Sequence, residues 1–175
     1  MAVNYGLGGF ESEFAFAAQN IASGDDFSIT INTQNVFENV LDAKISQIVI
    51  GDNTAGVFSN AYRQVDQIEE GKLKVKTSGV YLVSYNLTTT DPTNKTISLR
   101  IVKENDIRIS AIGGLQSGYC RSADQFEIGS NCLAFLESGD RVFTQVSNTD
   151  GTQNVTFVSL NISIVKLNYS GRVNS

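Results

Sequence analysis

The sequence predicts an all-β protein folded as an antiparallel β-sandwich, and three observations carry that prediction. Apolar and polar residues alternate with a period of two along most of the chain. Turn-forming clusters interrupt the alternation at short, regular intervals. Finally, 41% of the 175 residues are apolar and only one is proline, enough for a single hydrophobic core and few strand breakers.

The elements follow in order. Residues 1–24 stand apart from 25–175, which form the sandwich domain. Gly6-Leu7-Gly8-Gly9-Phe10 and Phe14-Ala15-Phe16-Ala17-Ala18 set aromatics on a Gly/Ala background with little charge. This segment is either an added strand or an arm laid over a neighbouring subunit, with Phe10, Phe14 and Phe16 as its anchors, since free exposed aromatics are a liability. The one helix-compatible stretch is Glu11–Ala22, and it is weak. From Phe27 to Asn32 the chain alternates strictly, as a half-buried strand does. Further strands are expected at Ser46–Ile50, Ala61–Val65, Lys72–Lys76, Val80–Thr89, Thr96–Val102, Ile107–Ile112, Gln125–Leu136, Arg141–Ser147 and Asn154–Leu167. Between them fall Gly51-Asp52-Asn53, Glu70-Gly71, Ser78-Gly79, Asp91-Pro92, Ser138-Gly139-Asp140 and Thr149-Asp150-Gly151. No repeat of solenoid length recurs. Residues 113–124 read as the longest loop, either an outward recognition surface or a structural connection.

Composition narrows function by exclusion. The net charge is −5, and Lys72, Lys74 and Lys76 read as a solvated strand face beside Glu69 and Glu70, so nucleic acid is not an expected partner. No stretch approaches the roughly 20 apolar residues of a membrane helix. The Met1–Tyr5 start has no signal-peptide character, which sets the expectation of a protein made in a cytoplasm, with Cys120 and Cys132 as free thiols. There is no histidine, which removes Ser-His-Asp and Cys-His catalysis and His-based zinc sites. No carboxylate pair suggests a glycosidase. Asp25, Asp26 and Asp150 match no calcium spacing. The expectation is a protein that is not an enzyme and has no metal or cofactor. Ser138-Gly139-Asp140-Arg141 reads as a tight hairpin with Asp140 bonded to its own backbone rather than as an ion site.

Three segments together carry a family resemblance. They are Gln67–Tyr85 with its Gly79-Val80-Tyr81 start, the turn Leu136-Glu137-Ser138-Gly139-Asp140-Arg141, and the long apolar strand Phe157–Leu167 near the C-terminus. Their order resembles the TNF-like superfamily, which includes the globular head of complement component q and tip domains of some bacterial and viral surface proteins. The resemblance covers about the last two-thirds of the chain and implies a TNF-like jelly roll. Gly79 reads as a turn position suited to positive φ.

The strand faces add a second point. Tyr81, Val83, Tyr85 and Leu87 face one way, and Val80, Leu82, Ser84 and Asn86 the other. In the last strand Val158, Leu160, Ile162 and Ile164 share a face opposite Phe157, Ser159, Asn161, Ser163, Val165 and Leu167. Small and apolar residues on a nominally outer face suggest a second buried surface. TNF-like proteins bury that surface at a threefold axis, so the resemblance implies a homotrimer with Leu82, Ser84, Val165 and Leu167 near its interface. From this follows the expected function: a trimeric bacteriophage virion protein, a decoration or cement subunit at the virion surface. It would dock on the major capsid protein through its N-terminal arm and display its loops outward. The alternative is a receptor- or glycan-binding tip or fibre knob.

Overall fold

A computed structural model of the chain describes residues 16–21, 26–42, 44–50, 65–69, 71–76, 78–90, 94–120 and 125–167. Among these residues every regular element is a strand: β1 (Phe16–Ile21), β2 (Phe27–Ile29), β3 (Glu38–Asn39), β4 (Ile45–Ile50), β5 (Val65–Glu69) and β6 (Lys72–Val75), then β7 (Gly79–Thr89), β8 (Lys95–Glu104), β9 (Ile109–Cys120), β10 (Phe126–Leu136), β11 (Arg141–Asn148) and β12 (Val155–Leu167). All pairings are antiparallel.

The strands form two sheets. The first runs β10-β7-β12-β1-β4, with β2 paired to β12; the second runs β5-β6-β11-β8-β9, with β3 paired to β11. The chain crosses between sheets from β6 to β7, β7 to β8, β9 to β10, β10 to β11 and β11 to β12. This threads neighbouring sequence segments into opposite layers, as expected of a sandwich.

The core lies between the layers. Tyr81, Val83, Tyr85 and Leu87 of β7 and Leu160, Ile162 and Ile164 of β12 pack against Ile97, Leu99 and Ile101 of β8 and Val142 and Val146 of β11, all buried. Alternation produces this, because a strand places every second side chain on one face. Tyr85 brings a hydroxyl into the core and donates it to the Leu99 carbonyl at 3.3 Å.

Several expectations change. Phe157 belongs to the core and not to the outer face: it is fully buried and stacks on Phe27 with ring centroids 5.3 Å apart. The register of β12 against β7 shifts between Phe157 and Ser159, and a bulge of this kind reverses the facing of everything before it. The segment read as the 113–124 loop is strand as far as Cys120, paired with β8. Its glycines serve close approach: a Cβ on Gly118 would run into the Phe126 ring, and one on Gly113 would stand 2.9 Å from Cys132 Cβ. Through these contacts β9 and β10, outermost in their respective sheets, lie against each other.

The helix-compatible reading of 11–22 fails over 16–21, which is β1, held between β12 and β4. Gly79 is not among the residues with positive φ. It is extended, and a Cβ there would meet Lys166 Cε at 2.8 Å. Lys72 is not part of a solvated face. It is 8% exposed, pairs with Glu104 at 2.8 Å and lies 5.0 Å above the Phe143 ring.

The turn after β10 joins the two sheets, so it is a corner rather than a hairpin. Asp140 does bond to its own turn, as expected: its Oδ2 accepts the Glu137 N–H at 2.9 Å, and it also accepts Lys103 Nζ at 3.0 Å. Gly139 takes φ of +98°, which a side chain would resist. The corner docks on the end of β6 through Gly139 N–H to the Val75 carbonyl and Val75 N–H to the Asp140 carbonyl, each 2.8 Å.

Candidate self-association face

The outward face of the first sheet is the most unusual surface among the described residues. Register defines it row by row, since directly opposed residues share a face. Phe135, Val80 and Leu167 form one row, and Leu133, Leu82 and Val165 the next. Asn131, Ser84 and Ser163 follow, then Gly129, Asn86 and Asn161. β1 pairs with β12 on its other side, with Phe16 opposite Val165 and Ala18 opposite Ser163 in the backbone register.

The first two rows leave apolar groups in water. Leu133 is 64% exposed, Phe135 60%, Val80 43% and Leu167 41%, while Leu82 and Val165 are half-buried beside them. One exposed leucine is ordinary; six contiguous apolar side chains on a flat sheet are not. Charge is also scarce here. Along the outward positions of β7, β10 and β12 the one formally charged residue is Glu127, in a chain that is 18% charged. Depletion of charge around an apolar centre is the compositional mark of a buried interface.

The four residues expected near an interface all fall on this face. Leu82 and Val165 are directly paired, Ser84 pairs with Ser163, and Leu167 pairs with Val80. Of the expected arm residues, Phe16 begins β1, and Phe10 and Phe14 lie outside the described residues. The sequence reading missed Leu133 and Phe135, the two most exposed members. The signal was available in Cys132-Leu133-Ala134-Phe135-Leu136, where both alternating sets are apolar, as at the start of β7.

Sheet edges offer less for association on this side, because β9 and β10 cover each other and a strand so covered does not readily accept another. The middle of the outer face of the second sheet, at β8 and β11, is occupied from within the chain. Arg100 lies 3.8 Å from the centre of the Phe37 ring and donates from Nε and Nη2 to Gln145 Oε1, at 2.9 and 2.7 Å. Gln145 in turn donates to Asn39 at 2.8 Å. Both cysteines are free; burial pushes each thiol above its ordinary pKa, a setting for packing rather than nucleophilic chemistry. Asp150 is a structural acceptor for the Thr96 N–H at 2.7 Å, and these hydrogen bonds hold its carboxyl below the usual range.

No family model matches the chain, and no curated protein matches its sequence. Solved structures do match its fold. The Eiger TNF structure from S. frugiperda superposes with a TM-score of 0.65 at 20% identity, covering 93% of this chain and 98% of that one. Murine APRIL gives 0.59 at 13% identity over 88% and 99% of the two chains. The PRD1 vertex protein P5 gives 0.53 at 11% identity over 88% and 97%. The fold is a TNF-like jelly roll.

Proposed function

We propose that the chain is a structural protein of a bacteriophage virion: a homotrimer that docks on the major capsid protein at the virion surface as a decoration or cement subunit and carries no catalytic activity. The observation that carries the self-associating part is the apolar, nearly charge-free outward face of β7, β10 and β12. A trimer buries it about a threefold axis, with Leu82, Ser84, Val165 and Leu167 at the interface and Leu133 and Phe135 joining them.

A ring of three is heterologous, and only the residues beside its axis meet their own equivalents in the other copies. The virion assignment is supported by the phage vertex protein that shares the fold. In this role the N-terminal segment, with Phe10 and Phe14, ties each copy to the capsid, and three such segments act together by avidity.

β1 fixes where this reading is to be tested. A cut after residue 24 removes a strand of the sheet, whereas a cut after residue 15 leaves it. The chain lacking residues 1–15 is expected to remain a trimer and to lose co-sedimentation with capsids of the host phage. Co-sedimentation at the full-length level would overturn the docking role of the segment.

A second reading, a receptor- or glycan-binding tip, is favoured by one observation. Ile107 is 90% exposed at the tip between β8 and β9, where Asn105 Oδ1 accepts the N–H groups of Ile107 and Arg108 at 3.1 and 3.0 Å. A held turn that presents a bare isoleucine suits contact with another molecule. Retained capsid binding by an Ile107→Ser variant that no longer adsorbs to cells would favour this reading.

A further inference from the structure

We infer that the polar half of the same face sets the register of the assembly, and that it does so through side chains able to pair with copies of themselves. The inference rests on the reading that this face is buried between copies. Beyond Leu82 the rows change from apolar to Asn131-Ser84-Ser163 and Gly129-Asn86-Asn161. These are amides and hydroxyls rather than the charges that usually keep a surface soluble. An asparagine amide and a serine hydroxyl each both donate and accept hydrogen bonds, whereas lysine only donates and an ionised carboxylate only accepts.

The distinction matters at a symmetry axis, where each residue approaches its own equivalents. A ring of lysines or of glutamates brings like charges together. A ring of asparagines closes, each copy donating to the next and accepting from the one before. The chemistry of these rows therefore fits a second copy of this chain better than an unrelated partner.

The shape agrees. Between Ser84, Asn86, Asn131 and Glu127 lies a depression of about 460 Å³ on the outward side of β7 and β10. It is floored by Gly129, where a Cβ would stand 2.8 Å from the Tyr85 carbonyl oxygen, so no side chain fills it. The depression is open to solvent and lined mostly by polar groups. The polar half is thus a hydrophilic zone beside an apolar one.

The two zones have different consequences for a slipped assembly. Val80, Leu82, Leu133 and Val165 are similar in size and chemistry, so sliding one copy along another by a pair of residues changes little among them. The same slip sets Asn86, Asn131 and Asn161 against apolar groups and leaves their amides unsatisfied, which disfavours the slipped arrangement. A buried polar residue that fixes register and oligomer state at some cost in affinity is established in coiled coils.

The test compares the wild-type chain with the double variants Asn86→Leu/Asn131→Leu and Asn86→Ser/Asn131→Ser, by native mass spectrometry with ion mobility. Both positions are exposed in the subunit, so circular dichroism should report an unchanged fold. The wild type and the serine variant should each give one trimer with one collision cross-section. The leucine variant should give more than one oligomer or cross-section, and its assemblies should dissociate more slowly. A leucine variant that forms a single trimer of wild-type cross-section overturns the inference and leaves the trimer standing. A wild-type chain that is monomeric overturns the inference together with the reading beneath it.

Discussion

Replacing Phe135 by serine removes a large apolar side chain from the proposed interface while leaving the core untouched. Phe135 is 60% exposed in the subunit. Complete burial of such a side chain is worth about 1.5–3 kcal/mol, so the part still available for burial on assembly is worth about 1–2 kcal/mol per copy. A trimer contains three copies, which brings the loss to about 3–6 kcal/mol per assembly. Each 1.4 kcal/mol is a factor of ten in the dissociation constant, and the midpoint concentration of a monomer–trimer equilibrium varies as the square root of that constant. The midpoint should therefore rise roughly 10- to 100-fold by this arithmetic. Sedimentation velocity over a dilution series reads the shift. Val36→Ser serves as control, because Val36 is comparably apolar and exposed but lies in the segment ahead of β3. Thermal unfolding of the dissociated subunit should change little, as expected for a surface substitution. A Phe135→Ser midpoint equal to that of the control would refute the assignment of this face.

Three further outcomes follow from the fold itself. Asp140→Ala leaves the Lys103 amine and the Glu137 N–H without their acceptor at a buried corner, and should cost about 2–4 kcal/mol in denaturant unfolding; Asp140→Asn should cost less. Phe157→Ala should cost about 3–5 kcal/mol, as for other fully buried aromatics, whereas Ser159→Ala, which removes only the Ser159 Oγ hydrogen bond to Thr88 Oγ1 at 2.8 Å, should cost about 1 kcal/mol. Burial pushes the Tyr85 hydroxyl from 10.0 up to about 12. The unfolded chain then ionises first as pH rises, so the stability this tyrosine confers is complete below pH 10 and is lost as pH climbs to 12, by up to about 3 kcal/mol. Tyr85→Phe should flatten that part of the pH–stability curve, measured by urea unfolding at pH 9 to 12.

Much of the architecture was legible because strand alternation is a direct print of burial. Tyr81, Val83, Tyr85 and Leu87 face the core and Val80, Leu82, Ser84 and Asn86 face outward, as their alternation indicates, and the excess apolar face of β7 and β12 pointed to Leu82, Val165 and Leu167. What failed did so for identifiable reasons. Phe157 sits on the far side of a bulge, and alternation cannot count an inserted residue. Gly113 and Gly118 read as loop punctuation, yet they sit mid-strand because Cys132 and Phe126 occupy the space their side chains would take. Lys72 belongs to a run of alternating lysines, and its burial depends on Glu104 and Phe143, which are distant in sequence. Leu133 and Phe135 escaped notice because their strand is apolar on both faces, and the outward set stands out only once β10 is seen beside β7. The asparagine rows are likewise a property of register: Asn86, Asn131 and Asn161 are unremarkable singly and meaningful only side by side.

The mass of the wild-type chain in solution bears most directly on the central claim. Sedimentation equilibrium at micromolar concentration should give three times the 18.9 kDa of a single chain. A mass of one chain across that range would contradict the account, because the apolar rows of β7, β10 and β12 would then face water with no partner.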